Sequence, residues 1–214
     1  MSATEFFDPN CRRCPRLADY LDHSRETYPD YHCAPVPSFG DPSPRLLIVG
    51  LAPGMHGANR TGRPFTGDHA GVILYRTLHQ YGFASAPESE INDELSLPGA
   101  RITNAVKCVP PGNKPIGAEI NECNTFLAAE LAALKRPVVV LALGGIAHRA
   151  VICSLGLRQA DYAFGHAAEH GPEDGVTLVD SYHCSRYNTN TRRLTEDMFG
   201  GIFARIREIL AEMA

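Results

Sequence analysis

The sequence predicts an α/β fold of three layers, α/β/α, in which helices flank a central, mostly parallel four-stranded sheet. Three observations lead there. Four short apolar runs, RLLIVGLAP (45–53), ARITNAVKC (100–108), PVVVLALGG (137–145) and VTLVDSYH (176–183), have the length and composition of buried strands. Segments with helical spacing lie between them, and a strand–helix alternation of this kind implies parallel strands joined by crossovers. The chain of 214 residues, 44% hydrophobic and 21% charged, is globular in composition and long enough to bury one core without staples. A single domain over 1–214 is expected.

Each element has a local reason. Segment 1–44 is rich in Pro, Asp and Cys and should be irregular around a helix near 15–28. After the first strand, 54–68 is a glycine-rich loop too loose for regular structure. Val72, Ile73, Leu74 and Leu78 recur at helical spacing and place a helix from Ala70 to Tyr81. PPGNKP (110–115) stops the second strand, and an amphipathic helix follows over 117–134. A double glycine ends the third strand before a helix at 146–155. Thr195, followed by Glu and Asp, caps a last helix reaching to about Ala214.

Composition also excludes classes of function. No run of 18 apolar residues is present and the N-terminal stretch lacks a basic and an apolar region, so no membrane contact and a cytoplasmic location are expected. The formal charge of −4 argues against a generally basic nucleic-acid binder, but it is unevenly spread. Residues 84–100 carry Glu88, Glu90, Asp93 and Glu94 with no basic residue, whereas Arg12, Arg13, Arg16, Arg60, Arg63, Lys107, Lys114, Arg186, Arg192 and Arg193 gather near the loops described next. Those charges serve either phosphate binding or ordinary solvation. The seven cysteines point to a metal or to catalysis rather than to disulfides, with Cys11 and Cys14 in a C-x2-C pair and Cys108 and Cys123 farther on.

In open parallel sheets, ligands bind where loops leave the carboxyl ends of strands. Three such exits carry chemistry-capable residues: Ala52 to Asp68, Asn104 to Asn113, and His183 to Asn188. All three should open on one sheet edge.

These same segments carry a family resemblance. GLAPGMHGANRTGRPFTGD (50–68), ITNAVKCVPPGNKP (102–115) and SYHCSRYNTNTRRLT (181–195) closely resemble the family 5, or type B, uracil-DNA glycosylases, in the expected order and over nearly the whole chain. Leu51 stands where the related family 4 has a glutamate, which favours type B. His183-Cys184-Ser185 departs from the usual His-Pro-Ser and removes a rigid proline from the loop that positions His183.

The resemblance implies a monofunctional DNA glycosylase that acts on DNA containing uracil or other deaminated bases and leaves an abasic site. It assigns the base pocket to Gly50, Leu51, Ala52, Phe65 and Asn104, and catalysis to Asp68, Asn113 and His183. The chemistry suits these residue types. Such an enzyme must extrude the base, stack it, read its edge, and stabilise a cation-like sugar and an anionic leaving base. Phe65 offers a stacking face, set against ordinary loop packing. Asn104 offers both an amide donor and a carbonyl, set against bonding to a nearby turn. Asp68 suits the developing sugar cation and an attacking water, or else a helix cap before Ala70. Asn113 would help hold that water, and His183 would donate to the base oxygen without a net proton transfer, set against an ordinary loop histidine. The apolar methyl of Ala52 replaces a polar group found in other branches and implies tolerance of hypoxanthine and xanthine. Ser185, Arg186, Tyr187, Asn188 and Arg192, with Arg193, form a loop suited to phosphates and to the space left by the extruded base. No lysine occurs in the first or third motif, so no lyase step is expected.

The resemblance further implies that Cys11, Cys14, Cys108 and Cys123 hold a structural [4Fe–4S] cluster tying 1–44 to the loop after the second strand. Zinc on four thiolates is the rival. Cys33 and Cys153 are read as packing residues, and the protein as a monomer. A non-catalytic, metal-stapled nucleic-acid-binding module, or an electron-transfer protein, would explain the cysteines but not the convergence of Asp68, Asn104, Asn113 and His183.

Overall fold

A computed structural model describes residues 6–171 and 175–213. Its strands are β1 (Phe39–Gly40), β2 (Leu46–Gly50), β3 (Ala100–Asn104), β4 (Val138–Leu143), β5 (Glu169–His170) and β6 (Val176–Ser181). Its helices are α1 (Pro15–Thr27), α2 (Ala58–Thr61), α3 (His69–Gln80), α4 (Gly117–Ala132), α5 (Gly145–Ser154), α6 (Arg186–Asn190) and α7 (Glu196–Glu212), with 3-10 turns at Pro111–Asn113 and Gln159–Asp161.

The strands form one sheet in the order β1-β3-β2-β4-β6-β5. The inner four are parallel and match the four apolar runs; β1 and β5 pair antiparallel at the edges. The sheet therefore has six strands rather than the expected four. Both additions are two residues long, which is too short to carry any periodicity.

The continuous apolar runs exist because both faces of the inner strands are covered. Leu46, Ile48, Val139 and Leu141 meet α3 and α7 on one face. Leu47, Val49, Val138 and Val140 meet α4 and α5 on the other. A smaller third cluster joins Leu17 and Leu21 of α1 to Val106, Phe126 and all four expected metal-binding cysteines. The N-terminal segment is thus docked on the side of α4. Thr195 caps α7 by accepting from the Met198 N–H at 3.2 Å. The helix is followed to Glu212; Ala214, its expected end, lies outside the described residues.

Chain order and spatial order differ in a way that makes a site. β3 lies on one side of β2, and β4 and β6 lie on the other. The loops leaving β2 and β4 therefore diverge and open a crevice at their carboxyl ends.

Candidate active site

The crevice holds a cavity of about 470 Å³ lined by Leu51, Ala52 and Asp68 from the β2 exit, Asn113 from the β3 exit, Gly144 and Ile146 from the β4 exit, and His183 and Arg186 from the β6 exit. A wider opening of about 810 Å³ shares Asp68, Asn113 and Arg186 with it and adds His56, Phe65, Glu88 and Glu90. The three expected exits do converge. The fourth, Gly144-Gly145-Ile146, was not expected as lining, although a double glycine after a buried strand was its visible signal.

Asp68 fulfils the cap reading and also faces the cavity. Its Oδ1 accepts from the Gly71 N–H at 3.0 Å and caps α3. Its other oxygen lies against bare backbone: a Cβ on Gly57 would come within 2.6 Å of Oδ2, and one on Gly54 within 3.4 Å. Burial pushes the carboxyl upward, and the Gly71 and Ala70 amides only partly oppose this.

Gly50 and Asn104 are register partners at the ends of β2 and β3. A Cβ on Gly50 would reach 2.4 Å from Asn104 Oδ1 and 2.7 Å from the Phe65 ring, so glycine is what lets both approach the strand end. Phe65 holds a left-handed φ of 58°, a strained conformation for an aromatic residue, and is 6% exposed. It joins the α3-side core and lines the wider opening, so packing and site readings both apply. Its ring lies 5.9 Å from that of His183, nearly parallel at 25°.

Two buried polar atoms at this place have no protein partner: Asn104 Oδ1 and His183 Nδ1. Buried groups of this kind ordinarily find one, because leaving them unpaired costs roughly 1–3 kcal/mol. Burial lowers the His183 pKa to about 4, so the ring is neutral at pH 7. Its loop is pinned without the usual proline. Cys184 is fully buried with its thiol 3.5 Å from the Ala70 carbonyl, Asn188 donates to the His183 carbonyl at 2.8 Å, and His69 meets the Thr189 hydroxyl at 3.1 Å.

That contact gives Asn188 an internal bracing role beyond the expected surface role. The Ser185 hydroxyl likewise accepts from the Asn188 N–H at 3.4 Å and caps α6. Arg186 and Arg192 remain exposed, and Tyr187 projects with 72% of its surface open. Asn113 is exposed in the 3-10 turn with φ of 57°.

Several expected phosphate-facing charges are otherwise engaged. Lys107 is buried, 3.6 Å from Glu130 beside Arg101, because the chain after β3 turns inward against α4. Arg12, Arg13 and Arg16 pair with Asp22, Glu122 and Glu119. Arg63 clasps the acidic loop through Asp93, Ser89 and the Glu90 carbonyl. Arg193 lies over the Tyr182 ring at 4.7 Å. Arg60, Lys114, Arg186 and Arg192 make no side-chain ion pair among the described residues.

Cys11, Cys14, Cys108 and Cys123 line one small enclosed cavity with Pro35, Lys107 and Phe126. Burial, and then the neighbouring charges of Cys123, Glu119 and Cys11, push the Cys14 thiol up to about 11; Cys108 rises for the same kind of reason. The Lys107 N–H points at Cys123 Sγ, 3.2 Å away. Four cysteines lining one small cavity form a donor set suited to a metal centre. Cys33 is buried, as expected, but Cys153 is exposed on α5. No helix among the described residues is long and apolar enough to cross a membrane.

A family model describing the uracil DNA glycosylase superfamily matches residues 37–207. The chain is 46% identical to a Type-5 uracil-DNA glycosylase of Thermus thermophilus, covering 88% of this chain and 89% of that one. It is 43% identical to one from Mycobacterium leprae, over 90% and 88% of the two chains, and 40% identical to one from Pyrobaculum aerophilum, over 92% and 87%. With its strand-end crevice and its matching motifs, the chain belongs to the uracil-DNA glycosylase superfamily, in the Type-5 family.

Proposed function

We propose that this chain is a monofunctional DNA glycosylase that excises uracil, and also hypoxanthine, xanthine and related deaminated bases, from DNA. The observation that carries the reading is His183 Nδ1, a buried atom without a partner on a residue that lines the crevice together with Asp68; a second such atom, Asn104 Oδ1, lies at the end of β3 against Gly50. A base supplies complementary edges that an empty apolar pocket does not need.

In this reading the nucleotide leaves the stack and its base enters against Phe65, while Gly50 and Leu51 shape the wall. Asn104 reads the base edge. Neutral His183 stabilises negative charge on the departing base without a net proton transfer, as its low pKa allows. Asp68 stabilises the sugar cation through the oxygen in the glycine cradle and, with Asn113, orients the attacking water. The methyl of Ala52 presents no polar group to refuse a purine. Arg186, Arg192 and the exposed Tyr187 hold the backbone around the vacated position. With no lysine in the first or third motif, water is the nucleophile and an abasic site is the product.

The four cysteines fit a [4Fe–4S] cluster, whose bonds to sulfur would fasten the N-terminal segment to α4 and to the chain after β3. The role is structural, because Cys108 leads directly into the turn that carries Asn113. We further assign the chain one domain over 1–214, a monomeric state and a cytoplasmic location.

The test is incubation with labelled duplexes containing one uracil or one hypoxanthine, half of each sample treated with alkali. Alkali-dependent breaks at both bases, weakened in Asp68→Asn and His183→Gln, are expected. Breaks without alkali would overturn the water mechanism, and activity on uracil alone would overturn the broad specificity.

A further inference from the structure

An aromatic group beside the crevice is unused by the function above. Tyr28 and Tyr31, just past the end of α1, stack with ring centres 4.6 Å apart and planes 16° apart. The His56 ring stands edge-on to both, at 5.6 and 6.0 Å, and its Nδ1 meets the Tyr31 hydroxyl at 3.0 Å. His56 is itself exposed and lines the wider opening that also contains Asp68. The half-buried Tyr28–Tyr31 pair therefore reaches the opening through His56.

Its charge setting is mixed: exposed Asp30 lies between the two tyrosines in the chain, and exposed Arg60 supplies the cation beside His56. Arg60, one turn beyond His56, is exposed and makes no ion pair among the described residues, and its guanidinium lies over Gly67, next to Asp68. An aromatic face alternating with an arginine is the arrangement that holds single-stranded nucleic acid, bases on rings and phosphates on cations. Duplex DNA keeps its bases stacked on each other and has none to offer. Arg186 lines the same opening, and the exposed Tyr187 follows it in the chain.

We propose that the Tyr28–Tyr31–His56 platform stacks an unpaired base flanking the excised nucleotide, making single-stranded DNA a favoured substrate. This rests on the glycosylase reading. Stacking on one aromatic side chain is worth enough to change affinity about tenfold.

The test compares excision of uracil from a single strand and from a duplex by the wild type, Tyr31→Ala, Tyr31→Phe and Tyr31→Leu. Tyr31→Ala is expected to raise KM on the single strand about tenfold with kcat and duplex KM within about twofold. Tyr31→Leu, which keeps the bulk without the π face, should behave as Tyr31→Ala, and Tyr31→Phe as the wild type. In parallel, 2-aminopurine is placed on either side of a non-hydrolysable 2′-fluorodeoxyuridine in a single strand. Its emission should be quenched from one flank by the wild type and Tyr31→Phe, and not by Tyr31→Leu. Equal losses on both substrates, or quenching that survives Tyr31→Leu, would overturn the proposal while leaving the glycosylase reading intact. Wild type that releases uracil from neither substrate would overturn the reading beneath it.

Discussion

Two carboxylates, the buried Glu130 and the half-buried Asp68, are treated in opposite ways. Glu130 of α4 is surrounded: Arg101 at 3.5 Å, Lys107 at 3.6 Å and the Thr103 hydroxyl at 2.9 Å all face it, and all are buried. Asp68 has one oxygen on backbone amides and the other against glycines, with no cationic side chain paired to it among the described residues. The first arrangement compensates a charge and fixes α4 against the sheet. The second leaves a charge under-compensated, which costs stability and preserves attraction for a developing cation. In the proposed function, compensation marks architecture and its absence marks chemistry.

That contrast is most sharply tested by removing each charge. Glu130→Ala strands Arg101 and Lys107 and should cost about 3–5 kcal/mol, lowering Tm by about 10 °C, while the excision rate per folded molecule is unchanged. Thermal melts paired with active-fraction kinetics read both quantities. Asp68→Asn should do the reverse. Asparagine still caps α3, so excision falls on the order of 10³-fold while Tm rises by about 2–4 °C. The sign follows from the raised carboxyl: the fold holds the Asp68 proton more tightly than the unfolded chain does, so ionisation of Asp68 costs stability above the ordinary carboxylate range. The gain from Asp68→Asn should disappear below the ordinary carboxylate range, where both states are protonated. For the same reason, wild-type excision should fall as acid protonates Asp68.

His183→Gln should lower excision about 100-fold and remove one acid-sensitive contribution to stability. An unfolded histidine protonates near 6.5, whereas the buried ring protonates only near 4. Stability is therefore complete above 6.5 and falls as pH drops toward 4, and that slope should be shallower in the variant. Gly57→Ala places a methyl 2.6 Å from Asp68 Oδ2 and 2.8 Å from its Cβ, so Asp68 must shift; excision should slow about tenfold and Tm fall by about 2–4 °C as the α3 cap is disturbed. A Gly57→Ala variant of full activity would show that the cradle does not hold the working oxygen.

The same distinction explains what could be read from the sequence. The inner strands were legible because burial on both faces writes an unbroken apolar run, and the exits were legible because polar residues cluster just past each run. The edge strands were not, since Phe39–Gly40 and Glu169–His170 acquire their structure from a neighbour. Lys107 was grouped with the site's basic residues because proximity along the chain says nothing of Glu130, which reaches it from a different element. Asn188 was read by residue type as a DNA contact, while its amide is turned inward to the His183 carbonyl. Asp68 was the clearest case, because capping and cavity-facing roles each use a different oxygen and needed no choice between them.

The clasp of Arg63 on the acidic loop has a consequence for how DNA arrives. It fixes Glu88 and Glu90 on one rim of the opening while Arg186 stands on the same opening, so the mouth carries a permanent electric asymmetry. Phosphates are turned away from one rim and gathered by the few cations left unpaired. Four such cations, Arg60, Lys114, Arg186 and Arg192, would displace few counterions, giving a slope of log affinity against log salt of about −3 to −4. A grip this light lets the protein leave undamaged DNA readily, so its residence is set by what enters the crevice rather than by the backbone outside it.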